Sequence, residues 1–204
     1  MDKTLLSQVI CTRISHDLIG NAGALSNALE LLEDGDTDFL DDIKKILAGS
    51  SAVLSARMRF FRLAFGLDNA ALFDNKGVFG VIKNYLHTLG NMTNKYDFQA
   101  ENTRPEHNRY ILLTVMIFAD LLIKGGEIRA CFENDDLWIA GVSQTDFPRD
   151  KIAAVKSILH GDKDYETDAQ YAHILCLKEL IAAKSQINLL ESAENTLVFQ
   201  ICGI

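Results

Sequence analysis

The chain has 204 residues, a formal net charge of −8, 48% hydrophobic residues and 24% charged ones. That usage excludes a disordered or fibrous chain and leaves room for one large globular domain or two modest ones. The acidic balance argues against a nucleic-acid partner, because affinity for a phosphate backbone comes from clustered Lys and Arg, so protein partners are expected.

Met1-Asp2-Lys3 lacks the basic region, apolar stretch and small-residue cleavage site of a secretory signal, so the protein is expected to stay in the cytoplasm. From Lys3 to about Glu33 there is no proline. Cys11, Ile14, Leu18, Ala22, Leu25, Leu29 and Leu32 recur at helical spacing, which predicts one long helix. Gly35 supplies a stop, and Asp36 or Thr37 a cap for a second helix. The second helix carries the stripe Phe39, Ile43, Ile46, Leu47, Val53, Leu54, Phe60, Phe61 and Ala64 and ends at Gly66. A lone helical hairpin cannot cover its apolar stripe. Pairing two copies into a four-helix bundle is the simplest cover, so a homodimer is expected; cover by the second half of the same chain is the competing solution.

After Asp68 the elements shorten. Phe79, Ile82, Leu86 and Leu89 predict a helix, and Tyr96 with Phe98 a strand. Thr103 with Glu106 reads as a capping box and Pro105 as a first-turn residue, opening a buried helix that runs to Gly125-Gly126. Its apolar segment, Tyr110 to Ile123, is too short to cross a bilayer and carries Asp120, so no membrane partner is expected. Ile128, Ala130 and Phe132 alternate, as do Leu137 and Ile139, about a polar turn, which predicts a hairpin. Pro148 opens a helix with Ile152, Val155 and Ile158, and another spans about Asp168 to Ala183. Strands at Ile187 to Leu190 and Leu197 to Ile201 close the chain. The predicted class is therefore α+β: a helical hairpin over 1–68, then an α/β sandwich over 69–204 with helices on one face of a mixed sheet. Cys11, Cys131, Cys176 and Cys202 lie far apart without metal-ligand spacing and read as packed thiols. His87, His107, His160 and His173 show no such spacing either and are given structural or surface roles.

His16 stands apart. At about 100° per residue it falls roughly 160° from the core stripe, on an outward face shared with Thr12, Gly20, Gly23 and Asn27 and flanked by Arg13. An exposed neutral imidazole has a nitrogen lone pair able to attack phosphorus. Asp17 either fixes the ring tautomer or simply solvates the helix, and Arg13 either neutralises a phosphoryl group or does the same. Gly20 and Gly23 each cost about 0.5 to 1 kcal/mol in a helix. They either clear an approach to His16, mark close helix packing, or are tolerated accidents.

The run Ser15-His16-Asp17-Leu18-Ile19-Gly20, with Gly23-Ala24 and Leu29-Glu30-Leu31-Leu32, resembles the phosphoacceptor helix of the histidine phosphotransferase ChpT family. Arg62-Leu63-Ala64-Phe65-Gly66 resembles the end of that family's second helix. The resemblance implies a cytoplasmic homodimer in which the hairpins form a four-helix bundle, followed by a degenerate Bergerat-type domain, the ATPase-like sandwich of histidine kinases. It implies a phosphorelay in which His16 carries phosphoryl groups from the receiver aspartate of a hybrid histidine kinase to response regulators. Asp17 and Arg13 would assist, and Thr12, Ile19, Gly20, Gly23 and Asn27, with Arg57, Arg59 and Arg62, are the candidate docking residues. Asn21 stands where the family pattern has proline, which leaves the local helix shape open.

No cofactor of its own is expected. A working kinase would need magnesium-binding asparagines on the Tyr110 to Ile123 helix, where Thr114 and Phe118 align instead; Val142 to Pro148 lacks Asp-x-Gly-x-Gly, and the chain has no GxG lid. ATP is thus not the expected donor, and the magnesium would arrive with the receiver. The alternatives are a silent receiver-binding adaptor and an ATP-dependent histidine kinase with drifted motifs.

Overall fold

A computed structural model describes residues 1–33, 39–67, 74–162, 164–181, 185–192 and 195–204. The long apolar-periodic run forms α1 (Lys3–Glu33), which continues unbroken through Gly20, Asn21 and Gly23. It packs antiparallel along α2 (Leu40–Phe65), which stops at Gly66 as expected, the Gly66 amide donating to the Arg62 carbonyl. The expected stop at Gly35, the caps Asp36 and Thr37, and the domain boundary at Asp68 lie outside the described residues. Asp41 and Asp42 occupy the first turn of α2, where the helix dipole favours negative charge.

The second half follows the predicted order: α3 (Asn75–His87), β1 (Lys95–Glu101), α4 (Asn108–Leu121), β2 (Gly125–Glu133), β3 (Asp136–Ser143), α5 (Arg149–His160), α6 (Ala172–Leu180), β4 (Gln186–Ser192) and β5 (Thr196–Cys202). The strands form one mixed sheet in the order β1-β2-β3-β5-β4, with β1 and β2 parallel and the other pairs antiparallel. Asn134 and Asp135 take positive φ, the two-residue turn whose twist suits a hairpin between β2 and β3. Phe98, Ile128, Ile139 and Phe199 point to the helix-covered face and are fully buried.

Three boundaries differ from expectation. The turn before α4 is not capped by Thr103 and Glu106: the Arg104 amide donates to Nδ1 of His107, 3.2 Å away, while the Thr103 carbonyl takes a bond from Asn75. His107 is buried against Phe132, a tertiary contact that overrides the local signal. Second, α4 ends at Leu121 rather than at the glycines, because Leu122 leaves helical geometry and Gly125, at φ +81°, turns the chain into β2. Third, the helix expected from Asp168 begins as a single 3-10 turn over Ala169–Tyr171 before α6, and its expected end at Ala183 lies outside the described residues.

One continuous core joins Val9 of α1 and Phe60, Phe61, Leu63 and Ala64 of α2 to the sheet half. The hairpin end nearest the sheet is therefore covered by α3, α4 and α6. Among the described residues, the far end of each helix is covered mainly by the other helix of the hairpin. None of the α1 residues expected in the core is fully buried: Cys11, Ala22 and Leu29 are exposed and Ile14, Leu18, Leu25 and Leu32 half-buried, whereas Val9 and Ala28 are buried. Leu29 is 51% and Ile46 44% exposed, so a single chain leaves much of the stripe in water.

Candidate functional site

His16 projects from the middle of α1 with its side chain 85% exposed. Thr12, Gly20, Gly23 and Asn27 share its outward face and are all exposed, and Ile19 beside them is 69% exposed. A Cβ placed on Gly20 or Gly23 would meet nothing within 4 Å among the described residues. The two glycines therefore do not serve close packing against any of the described residues.

Asp17 is turned inward. Its Oδ1 lies 3.4 Å from His16 Nδ1, and its Oδ2 accepts from Arg13 Nε at 2.8 Å, one helical turn away. A carboxylate only accepts, so this contact favours the tautomer with the proton on Nδ1 and the lone pair on Nε2. Arg57 of α2 secures the same turn by donating to the Asp17 carbonyl at 2.7 Å and to Thr88 at 3.3 Å.

Arg13, with a side chain only 12% exposed, crosses from the hairpin to the second half. Its Nη1 and Nη2 reach the two oxygens of Asp120, on α4, at 3.2 and 3.1 Å, and Nη1 also donates to the Gln170 carbonyl at 2.8 Å. Burial alone would weaken the guanidinium, but Asp120 and Asp17 outweigh it and hold Arg13 charged above its ordinary range. Lys151 of α5 donates to the Asp120 carbonyl at 2.9 Å. Tyr85, stacked on Phe60, lies in the same field; burial and then Asp120 raise its hydroxyl above the usual range.

These residues line one side of an open cavity of about 470 Å³ between α1, α4, α5 and α6, with His16 and Thr12 at one wall and Lys151 and Tyr171 among the others. His173 forms part of its floor. It is fully buried, its Nε2 is 3.5 Å from Asp120 Oδ2, and neither ring nitrogen has a hydrogen-bond partner among the described residues. Burial pushes its pKa down to about 4, against the pull of Asp120, so His173 is neutral.

The structure thus brings His16, Asp17, Arg13, Thr12 and Arg57 together, but it spends Arg13 and Arg57 on internal bonds. Arg59 lines a groove between α2 and α3, and Arg62 lines another beside Cys11 and Ile14. Lys151 and Gln170 were not singled out from the sequence, and Asp120 and His173 were named there without a functional role. Asp120 did carry a signal: it is the one charged residue in the apolar run from Ile111 to Leu121, and a charge in such a run calls for a partner. Among the described residues no group of three or more His, Cys, Asp or Glu is placed to hold a metal, and no helix is long and apolar enough to cross a membrane.

The helical hairpin joined to a five-stranded α+β sandwich is similar in fold to a solved bacterial phosphotransferase, with a TM-score of 0.75 at 22% identity over 98% of this chain and 97% of the other. In sequence the chain is similar to the protein phosphotransferase ChpT of Brucella abortus (strain 2308), being 31% identical over 137 residues, 64% of this chain. The match spans 62% of that relative's length. The resemblance carried by the His16 segment and the α2 end is borne out at the level of these relatives. The histidine kinase AdeS of Acinetobacter baumannii overlaps more loosely, with a TM-score of 0.40 at 10% identity over 91% of this chain and 95% of its own. No family model matches the chain.

Proposed function

We propose that this chain is a phosphorelay histidine phosphotransferase in which His16 accepts a phosphoryl group from the aspartyl phosphate of one receiver domain and passes it to the aspartate of another. The observation that carries the reading is His16 itself: an 85% exposed imidazole with an acidic neighbour at Nδ1, beside the bare strip at Gly20 and Gly23. Nε2 attacks phosphorus, the bond from phosphorus to the aspartyl oxygen breaks, and its electron pair leaves with the receiver carboxylate. The Nδ1 proton stays on the ring, and Asp17 faces the positive charge that forms there. Such transfer needs positioning and charge neutralisation more than covalent help from the protein. Arg13 is committed elsewhere, so the cation for the phosphoryl group is Lys151, which lines the same cavity and has donors beyond its bond to Asp120.

Magnesium comes with the receiver and ATP is not the donor. Supporting this, Thr114 and Phe118, at the positions where a kinase would hold magnesium, are fully buried, and Phe118 packs edge-on to Phe199. The exposed stripe at the far end of the hairpin supports a homodimer closed through a four-helix bundle. The partners proposed are the receiver of a hybrid kinase and response regulators, in the cytoplasm. The test is to incubate the chain with a phosphorylated receiver domain. Acid-labile label should appear on the wild type and be absent from His16→Ala; label that persists in His16→Ala overturns the assignment.

A further inference from the structure

We propose that Asp120, in the sheet half, is a positioning residue for His16, acting through Arg13 and Asp17. The inference deepens the phosphotransfer reading and rests on it for the rate, though not for the geometry.

The chain of contacts is continuous. Asp120 takes both Nη groups of Arg13 through its two oxygens, at 3.1 and 3.2 Å. That bidentate grip fixes the plane of the guanidinium, since a planar fork matched to a carboxylate has one orientation. With the plane fixed, Nε points along α1 to Asp17 Oδ2 at 2.8 Å. One oxygen of Asp17 being held, the other stays within 3.4 Å of His16 Nδ1. The middle of the chain is sheltered, Arg13 being 12% and Asp17 18% exposed, while Asp120 at 35% lies at the cavity edge, so the Arg13–Asp17 link is screened less than a surface pair is. His16 remains outside, where a partner reaches it.

The placement also gives a role to the one charged residue in the apolar run from Ile111 to Leu121. Asp120 is only partly buried, its side chain 35% exposed, whereas Arg13 is nearly buried, and hydrophobic replacement of buried ion-pair networks is often neutral or stabilising. A network kept for stability alone would not need the Arg13 edge that faces Asp17. Without the Asp120 carboxylate, Asp17 is the carboxylate left bonded to Arg13 among the described residues, and a two-oxygen grip on Arg13 would draw Oδ1 away from His16. The imidazole would then lose the acceptor that selects its Nδ1–H tautomer, and with it the fraction of molecules presenting a lone pair at Nε2.

The test uses the full chain and two readouts: the tautomer of His16 from long-range proton–nitrogen NMR of its ring, and the rate of phosphoryl uptake from a phosphorylated receiver. In the wild type the ring should hold its proton on Nδ1. Asp120→Asn preserves shape and removes the charge; it should convert the ring to a tautomer mixture and slow uptake by tenfold to about a hundredfold, the scale of a small misplacement at a reacting centre. Asp120→Glu should recover part of both. A folded Asp120→Asn with wild-type ring shifts overturns the proposal, whether its rate is unchanged or slowed. Should that variant fail to fold, Arg13→Lys retains the charge but cannot span both carboxylates, and the same two readouts apply. A wild type that takes no label, with a ring that still shifts in Asp120→Asn, sinks the phosphotransfer reading and leaves the positioning intact.

Discussion

His173 makes the stability of this fold depend on acidity in a calculable way. Its pKa drops from about 6.5 in the unfolded chain to about 4 in the native one, because the buried ring has no hydrogen-bond partner among the described residues and cannot accept charge cheaply. The unfolded chain therefore binds the extra proton first as pH falls, and stability decreases through the window between those two values. Each unit of difference is worth about 1.4 kcal/mol, so the penalty reaches about 2 kcal/mol by pH 5 and levels off near 3 kcal/mol below pH 4. Other groups titrate in the same range, so the assay is a comparison: urea unfolding of wild type and His173→Leu at pH 7 and pH 5. The wild type should lose about 2 kcal/mol more than the variant between those conditions. His173→Leu should also be no less stable at pH 7 by more than about 1 kcal/mol, because an unpaired polar ring is exchanged for an apolar side chain. Parallel losses in the two proteins would refute the burial argument.

Three further perturbations test separate parts of the structure. An added Cβ at Gly141 would overlap the Phe118 ring, so Gly141→Ala should destabilise by about 1 to 3 kcal/mol in denaturant unfolding; an unchanged midpoint would mean that Phe118 has room to move. Gly20→Ala should stabilise by about 0.5 to 1 kcal/mol because nothing lies near its Cβ, whereas Gly20→Trp should keep the fold and slow receiver phosphotransfer at least about tenfold; full rate in the tryptophan variant would sink the reading of an open approach. Leu29→Lys, on the exposed stripe, should convert a dimer to a monomer in light scattering, and a wild type already monomeric at high concentration would remove the bundle from the proposal.

The span of α1, the end of α2 at Gly66, the order of the later elements and the outward placement of His16 were all legible in the sequence. Periodicity is a local property: 3.6 residues per turn and alternation along a strand are written into neighbouring residues, and an angle around a helix follows from counting. The capping of α4 was misread because the imidazole that accepts there is held by Phe132, far along the chain, and the core stripe of α1 was overstated because periodicity identifies an apolar face without saying what covers it. What only the tertiary structure decided is the environment of His16. Arg13 looked like a free cation on the helix flank and is instead fastened to Asp120, 107 positions away, and to the Gln170 carbonyl. His173 looked like any histidine and lies buried against the cavity, 3.5 Å from Asp120 and with no hydrogen-bond partner among the described residues. A residue's partners across the fold depend on how α4 and α6 dock against α1, and no spacing along one helix encodes that.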